Sequence, residues 1–301
     1  MSFDEFGPIP SPAIQVRTAT VLVSYNRPKL VRDCLASILD QHDRDWLCFV
    51  MDDGSNAETR RAIQQTILAS GRAGQFVVDF GPPASPEERR SYLRYSRRIN
   101  EALSVIVQHN LARYVCSVCD DDHLYPESIG SRADYLDAHP EASVVYGRLR
   151  SVVAGGSWDV AVPPIPGRTY TRPTGPRIPR PPHGGAADWP EDIDPETGRG
   201  VDEGFWQAAP MRFGEPHKVD HNQVLWRVDA LQPTASWQRQ SMPPRWEFWP
   251  EQREGTIGDA DFFQRLLDRG HLFHGVDAWC VVKRYHRYSD GCVEHHPEVR
   301  E

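Results

Sequence analysis

Short apolar runs alternate with amphipathic helical segments between Thr18 and Val153, and this alternation constrains the fold more than any other feature. The runs are rich in β-branched residues, as buried strands are: TATVLVSY, WLCFVMDD, GQFVVDF, YVCSVCDDD and ASVVYGRLRSVV. In intervening segments such as KLVRDCLASILDQ, the apolar side chains fall on one helical stripe. Strands that alternate with helices predict an α/β fold with a mostly parallel, doubly wound central sheet.

Three of the predicted strands end in polar clusters. They are Ser24-Tyr25-Asn26, Asp52-Asp53 and Asp120-Asp121-Asp122. The carboxyl ends of parallel strands meet at one edge of the sheet, where ligands bind. Adjacent carboxylates repel one another, so the acidic triplet is costly unless a cation offsets its charge. Hard cations such as Mg²⁺ and Mn²⁺ prefer oxygen ligands and bridge carboxylates to phosphates. The clusters predict such a site, and a solvated acidic turn is the alternative.

The three acidic residues of the triplet directly follow an apolar strand. Successive side chains of a strand point to opposite sides. We therefore expect Asp120 and Asp122 to face one way and Asp121 the other. One or two of the carboxylates could then hold a metal ion while another accepts hydrogen bonds from a ribose.

Composition and charge exclude several classes of protein. Contents of 39% hydrophobic and 25% charged residues are ordinary for a globular protein, and 301 residues allow one large domain or two fused lobes. A formal charge of -8 argues against a nucleic-acid partner. The N-terminus lacks the apolar core of a signal peptide, and no segment reaches the roughly 20 apolar residues of a membrane span. We therefore expect a soluble, cytoplasmic protein.

The six cysteines are scattered through the predicted elements, which indicates reduced thiols rather than a disulfide framework. Cys116 and Cys119 form a C-x-x-C, but no second pair stands at zinc-ligand spacing. We interpret both as packed thiols.

A stretch dense in proline and glycine, at about 154–216, interrupts the pattern. It lacks periodicity and cannot form a regular helix or a central strand. Long loops in compact domains are often lids, so one hypothesis is a mobile flap over the site. An inert insertion is the other.

Five motifs in order, VLVSYNRP, FVMDDGSN, CDDDHLYPE, VDHNQVLWR and GDADFFQRL, resemble those of the GT-A-fold glycosyltransferases of family 2. Within that family the sequence is most similar to the bacterial spore-coat polysaccharide glycosyltransferases. The resemblance covers most of residues 18–153 and 218–286. It implies a Rossmann-like, mostly parallel sheet with a smaller acceptor-side lobe. It also implies transfer of a sugar from a UDP- or dTDP-sugar donor, with inversion and with Mn²⁺ or Mg²⁺.

On this resemblance the chain divides into three parts. Residues 1–17 form an N-terminal extension, 18–125 the nucleotide-sugar-binding half, and 126–301 the acceptor-binding half, which includes the flap at about 154–216. The resemblance leaves the acceptor open: a polysaccharide, a peptide or a small natural product.

The resemblance also implies which residues bind the donor. Tyr25 would stack on the base, and Asp53 would accept a base N–H. Arg89 matches a donor-contacting basic residue, and Arg94 assists it. Asp120 and Asp121 match an acidic pair that contacts ribose and metal.

The metal and catalytic residues follow from the same resemblance. Asp122 is an additional metal candidate, and His286 resembles a histidine that completes the metal shell. Asp259 matches the catalytic base, which removes the acceptor proton as the new bond forms. Asp261 is its competitor, and a helix N-cap is the structural alternative for Asp259. His221 matches an acceptor-side position, where we expect packing and hydrogen bonding rather than chemistry.

Two other functions compete with glycosyl transfer. A nucleotide-binding protein of the same fold could lack turnover, but Asp259 together with the acidic triplet argues against this. A nucleotidyltransferase would carry a Gly-rich phosphate loop after the first strand. The segment SYNRPK supplies Arg27 and Lys29 there but no glycine.

Overall fold

The computed structural model describes residues 15–83, 85, 93–154, 221–231, 262–263, 266 and 269–286. Its strands are β1 (Val16–Ser24), β2 (Trp46–Asp52), β3 (Phe76–Phe80), β4 (Ala112–Cys119), β5 (His123–Leu124), β6 (Val144–Ala154), β7 (Val224–Arg227) and β8 (Phe273–His286). Its α-helices are α1 (Pro28–Leu39), α2 (Ala57–Ala69), α3 (Leu93–Gln108) and α4 (Ser128–Ala138). Nearly all of the predicted flap lies outside the described residues, so the flap and the division into halves stay predictions.

The strands form one sheet in the order β3-β2-β1-β4-β7-β6-β8-β5. The first four strands in this order are parallel to one another. β7 is antiparallel to both β4 and β6, whereas β8 is parallel to β6 and antiparallel to β5. Strands β4, β6 and β8 therefore run in the same direction. The predicted α/β class and mostly parallel sheet are confirmed, and the antiparallel β7 is a feature that the sequence analysis did not predict.

Helices cover both faces of the sheet, as the doubly wound prediction requires. Alternate residues of each strand point to opposite faces, so Val21 and Leu22 of β1 belong to different buried clusters. Val21 packs in a cluster with Ile99 of α3, and Leu22 packs in one with Val31 of α1. Because both faces are covered, ligands reach the sheet only at its edges.

Local signals set where the helices begin. Pro28 occupies the first position of α1, where a missing N–H costs nothing. Asn56 caps α2, because its side-chain oxygen accepts a hydrogen bond from the backbone N–H of Thr59 at 2.9 Å. Both helices start immediately beyond a strand end, and they therefore fix the loops that follow β1 and β2.

The described cysteines are free thiols, and all but Cys119 are fully buried: Cys34, Cys48, Cys116, Cys119 and Cys280. This agrees with the prediction of packed, reduced thiols. Among the described residues, no helix combines the length and the apolar character that crossing a membrane requires.

Candidate active site

The three predicted polar clusters lie together at the carboxyl ends of β1, β2 and β4. Ser24 is paired with Asp52 in the register of β1 and β2, and the backbone N–H of Asp53 donates to the Ser24 carbonyl at 2.8 Å. On the other side of β1, the N–H of Tyr25 donates to Oδ2 of Asp120 at 3.0 Å. Direct hydrogen bonds therefore join the ends of three neighbouring strands.

The acidic triplet forms a turn, which we call the acidic turn (Asp120–Asp122). β4 ends at Cys119, and the N–H of Asp122 donates to the Cys119 carbonyl at 3.1 Å. One nitrogen of Arg27, Nη1, contacts Asp120 Oδ1 at 2.9 Å and Asp121 Oδ2 at 2.8 Å. The expectation that Asp120 and Asp121 face opposite ways is therefore wrong. The strand ends before the triplet, and a turn is not bound by strand alternation.

Arg27 offsets much of the charge of the acidic turn. Asp120 is buried, and its burial raises the pKa of its carboxyl. The positive charge of Arg27 acts in the opposite direction, whereas the neighbouring Asp121 raises the pKa of Asp120 further. The guanidinium therefore opposes the effect of burial and favours the ionised form of this carboxylate.

Asn222 fixes the third acid of the turn. Asp122 is buried, and its Oδ2 accepts a hydrogen bond from Asn222 Nδ2 at 2.7 Å. The same side chain accepts the N–H of Cys119 through Oδ1 at 3.1 Å. Asn222 lies just before β7, so the long-range insertion of β7 into the sheet places a polar side chain against the turn.

The acidic turn has the donor atoms that a divalent metal needs. A carboxylate oxygen of Asp121, one of Asp122 and Sγ of Cys119 all lie within 4.8 Å of one another. Burial raises the pKa of the Cys119 thiol, and its sulfur is a poorer ligand than oxygen for hard cations such as Mg²⁺ and Mn²⁺. The two carboxylates fit Mg²⁺ or Mn²⁺, which bind through one or two carboxylates and take further oxygens from water and substrate phosphates.

Arg94 of α3 holds the side chain of Asp53. Its Nε donates to Asp53 Oδ1 at 2.9 Å, and its Nη2 lies 2.7 Å from the same oxygen. Nη2 also donates to the carbonyl of Pro82 at 3.1 Å. Both partners of this ion pair are largely buried. The sequence analysis predicted that Arg94 assists donor binding, and the structure shows that it orients the carboxylate predicted to bind the base.

The loops after β1 and β2 support each other. The N–H of Asn26, a residue in the left-handed region with φ 51°, donates to Ser55 Oγ at 3.0 Å. Asn26 Oδ1 in turn accepts the N–H of Asn56 at 2.8 Å. Beneath them, Asp52 accepts the N–H of Ser55 at 3.0 Å, and burial raises the pKa of Asp52. The loops that carry Tyr25 and Asp53 are therefore mutually fixed.

The glycine after Asp53 permits the close approach of another loop. Gly54 has φ 77°, and a Cβ atom there would lie 2.4 Å from the carbonyl oxygen of Pro82. The side chain of Arg94 bonds to that same carbonyl. Only glycine lets the loop that follows Asp53 pass so near the Pro82 backbone.

The structure describes only some of the remaining predicted residues. His221 bonds to Tyr95 Oη at 3.0 Å through Nε2, in agreement with the hydrogen-bonding role expected for it. His286 is the last residue of β8, which runs in the direction of β4, but its side chain lies outside the described ones. Arg89, Asp259 and Asp261 also lie outside the described residues. Their predicted roles stay predictions.

Two residues of the site were missed as site residues. Arg27 was noted only as a basic residue after the first strand. A basic residue at one strand end, with three acids at the end of another predicted parallel strand, was a usable signal for an ion pair. Nothing in the sequence identifies Asn222 as a partner of Asp122, because the contact exists only once β7 lies next to β4.

Known proteins of one family resemble this chain in sequence and in fold. The profile of glycosyl transferase family 2 matches residues 20–187. Protein CgeD of Bacillus subtilis (strain 168) is 30% identical over 136 residues, which make up 45% of this chain and 30% of CgeD. The structure of S. aureus TarS 1–349 in complex with UDP is similar with a TM-score of 0.54 at 12% identity. The similarity covers 89% of this chain and 60% of the TarS chain.

A second TarS 1–349 structure, in complex with UDP-GlcNAc, is similar with a TM-score of 0.50 at 14% identity. It covers 91% of this chain and 60% of the TarS chain. The chain thus spans less than two thirds of the length of these relatives. At such low identity the likeness shows the fold alone, and together with the profile it confirms the predicted GT-A type of α/β fold.

Proposed function

The chain belongs to glycosyl transferase family 2, as its five motifs predicted, and from that premise we propose that it is a nucleotide-sugar glycosyltransferase. The reaction moves a sugar from a UDP- or dTDP-sugar to an acceptor, depends on Mn²⁺ or Mg²⁺, and inverts the anomeric centre. The observation that carries this proposal is the convergence of Asp53 and the acidic turn at one edge of the sheet.

The donor base binds between Tyr25 and Asp53. Uracil and thymine carry a ring N–H between two carbonyls, and an oriented carboxylate is a suitable acceptor for it. Arg94 supplies that orientation by holding Oδ1 of Asp53. A TarS structure of the same fold is in complex with UDP, which supports a pyrimidine nucleotide here. Arg89 supplies a further positive charge that attracts the donor.

Asp121 and Asp122 would hold a divalent cation at the acidic turn, beside the donor diphosphate, and His286 at the end of β8 would complete its protein ligands. When bound, the metal stabilises the negative charge that develops on the departing diphosphate. Asp120 accepts a hydrogen bond from the N–H of Tyr25 through Oδ2 and one from Arg27 through Oδ1. Its contact to the ribose therefore uses a remaining lone pair.

The acceptor hydroxyl is activated by Asp259. A carboxylate beside the anomeric carbon takes the hydroxyl proton while the oxygen forms the new glycosidic bond and the nucleoside diphosphate leaves. Inversion follows because the acceptor attacks from the face opposite the leaving group. Asp261 is the alternative base. The acceptor is a polysaccharide, a peptide or a small natural product.

Donor binding is tested first, by thermal unfolding of the full chain with nucleotide sugars. At a ligand concentration of about 100 times Kd, binding stabilises by about 2.7 kcal/mol, which corresponds to a shift of roughly 5 °C. We expect this shift for one or two UDP- or dTDP-sugars, and only with Mn²⁺ or Mg²⁺ present. Equal stabilisation by adenosine diphosphate sugars would contradict the proposed base site.

Turnover is tested next, by release of UDP or dTDP from the donor that binds. Asp259→Asn should bind this donor normally and lose at least about a hundredfold in turnover, since general base catalysis contributes about 10²–10⁴-fold. Asp229→Asn makes the same chemical change at an exposed position of another segment and serves as the control. A parent protein that binds the donor but never turns it over would support a nucleotide-binding protein instead.

A further inference from the structure

A second group of possible metal ligands lies apart from the acidic turn. We call it the histidine cluster (His139, Glu141, His274). One ring nitrogen of each histidine and one carboxylate oxygen of the glutamate lie within 4.8 Å of one another. His139 is the C-cap of α4, Glu141 lies two residues later in the connection to β6, and His274 is the second residue of β8. The pairing of β6 with β8 therefore brings a distant histidine next to a local His–Glu pair.

The histidine cluster lies at the other edge of the sheet from the candidate active site. β6 and β8 run in the direction of β4, and the cluster is near the beginnings of β6 and β8. The acidic turn follows the carboxyl end of β4. The cluster therefore has no part in donor binding.

We propose that His139, Glu141 and His274 form a zinc-binding site that clips the beginning of β8 to the end of α4. Two imidazoles and a carboxylate are a ligand set that zinc uses with a water in the fourth position. Imidazole ligands favour Zn²⁺ over Mg²⁺ and Mn²⁺, which prefer oxygen. The cluster and the acidic turn thus have different metal preferences.

Neighbouring groups hold the two histidine rings in place. The ring of Tyr135 stacks on His139 with 4.2 Å between centroids, and Tyr135 Oη bonds to Nδ1 of His274 at 3.0 Å. Nδ1 of His139 lies 3.1 Å from Oε1 of Glu141. Tyr135, as an outer partner of both rings, orients them for metal binding. The C-terminal end of α4 also favours a nearby positive charge.

The backbone around the histidine cluster is fixed by Arg227 of β7. Its side chain donates to the carbonyl of Ala142 at 2.8 Å and to that of His139 at 3.3 Å. The N–H of Ala142 also donates to the His139 carbonyl at 3.0 Å, which closes a turn over the segment that carries Glu141. Little rearrangement is therefore needed to bind an ion.

A metal here would close a very long loop. The loop would contain all residues between Glu141 and His274, including the stretch rich in proline and glycine. Clips that close long loops stabilise by removing chain entropy from the unfolded state. The zinc clip therefore secures β8, the strand that ends at His286, to the rest of the sheet.

The test is a zinc titration of the full chain by calorimetry, after removal of metals with a chelator. We expect one tightly bound equivalent and a higher melting temperature. Glu141→Gln should weaken this equivalent at least about tenfold, and Tyr135→Phe about 10- to 100-fold, because it keeps the stacked ring but loses the hydrogen bond to His274. Glu141 is half exposed, so its substitution leaves the fold intact.

Two variants control for binding elsewhere. His42 is an exposed histidine 3.6 Å from a single carboxylate, that of Glu127, so His42→Gln should keep the tight equivalent. Asp121→Asn should also keep it while losing the divalent cation of the acidic turn, which separates this proposal from the proposed enzyme function. Absence of a tight equivalent, or the same affinity in Glu141→Gln, would overturn the zinc site and leave a hydrogen-bonded cluster.

Discussion

Replacement of Arg27 by methionine tests how the acidic turn is held together. The variant keeps an unbranched, flexible side chain but removes a guanidinium that bonds to both Asp120 and Asp121. Two neighbouring carboxylates, one of them buried, would then lack their shared cation. We expect Arg27→Met to fold and to be less stable than the parent chain.

The size of the loss follows from the contacts. A hydrogen bond to a charged group contributes about 1.5–3 kcal/mol, and Arg27 makes one to each of two carboxylates. Arg27 is 20% exposed, so solvent screens part of this energy. Asp120 can also take up a proton, which limits the repulsion. We therefore expect the free energy of unfolding to fall by about 2–3 kcal/mol.

The pH dependence has a definite sign. Burial already raises the pKa of Asp120, and loss of Arg27 raises it further. A carboxyl with a raised folded-state pKa binds more protons in the folded state than in the unfolded one, so stability increases as the pH falls through that pKa. The penalty of Arg27→Met should therefore be largest at neutral pH and shrink under acidic conditions.

Urea denaturation of the parent, Arg27→Met and Arg61→Met chains measures these effects. Arg61 is an exposed arginine of α2 outside the site, and its substitution should cost less than about 0.5 kcal/mol. Mn²⁺ should stabilise Arg27→Met more than the parent, because a bound cation supplies part of the missing charge. Unchanged stability of Arg27→Met, or equal stabilisation of both proteins by Mn²⁺, would refute the role of Arg27 in holding the acidic turn together.

Two further predictions concern the site and the sheet. Arg94→Met should weaken UDP binding about tenfold in calorimetry, because Asp53 loses its orienting partner, and adding Asp53→Asn should then cost little more. Gly147→Ala should lower the free energy of unfolding by about 3 kcal/mol in urea, since its Cβ would lie 2.1 Å from Sγ of Cys280. Gly74→Ala meets open space and is the control, and equal stability of the two variants would contradict the close approach of Gly147 in β6 to Cys280 in β8.

The part of the fold between Thr18 and Val153 was predictable because its signals are local. Each apolar run between Thr18 and Val153 became a strand, and a side-chain cap at Asn56 begins α2. Parallel strands place their carboxyl ends at one edge, so the meeting of Tyr25, Asp53 and Asp120 followed from the topology.

The rest depends on contacts that no local pattern encodes. β7 is a four-residue strand that could pair in either direction, and its antiparallel place between β4 and β6 is set by the assembled sheet. Asn222 reaches Asp122 only as a result. The sequence alone does not choose between a continued strand and a turn at Asp120–Asp122, because three acids after a strand fit both. Arg27 contacts two of them only in the turn geometry.

The most direct measurement is a crystal structure of the full chain with UDP and Mn²⁺, with the metal located by its anomalous scattering. The account predicts the uracil ring against Tyr25 and Asp53, and a manganese peak coordinated by Asp121 and Asp122. A nucleotide bound at another surface, or a manganese ion that touches neither carboxylate, would contradict the claim that this edge of the sheet binds the donor.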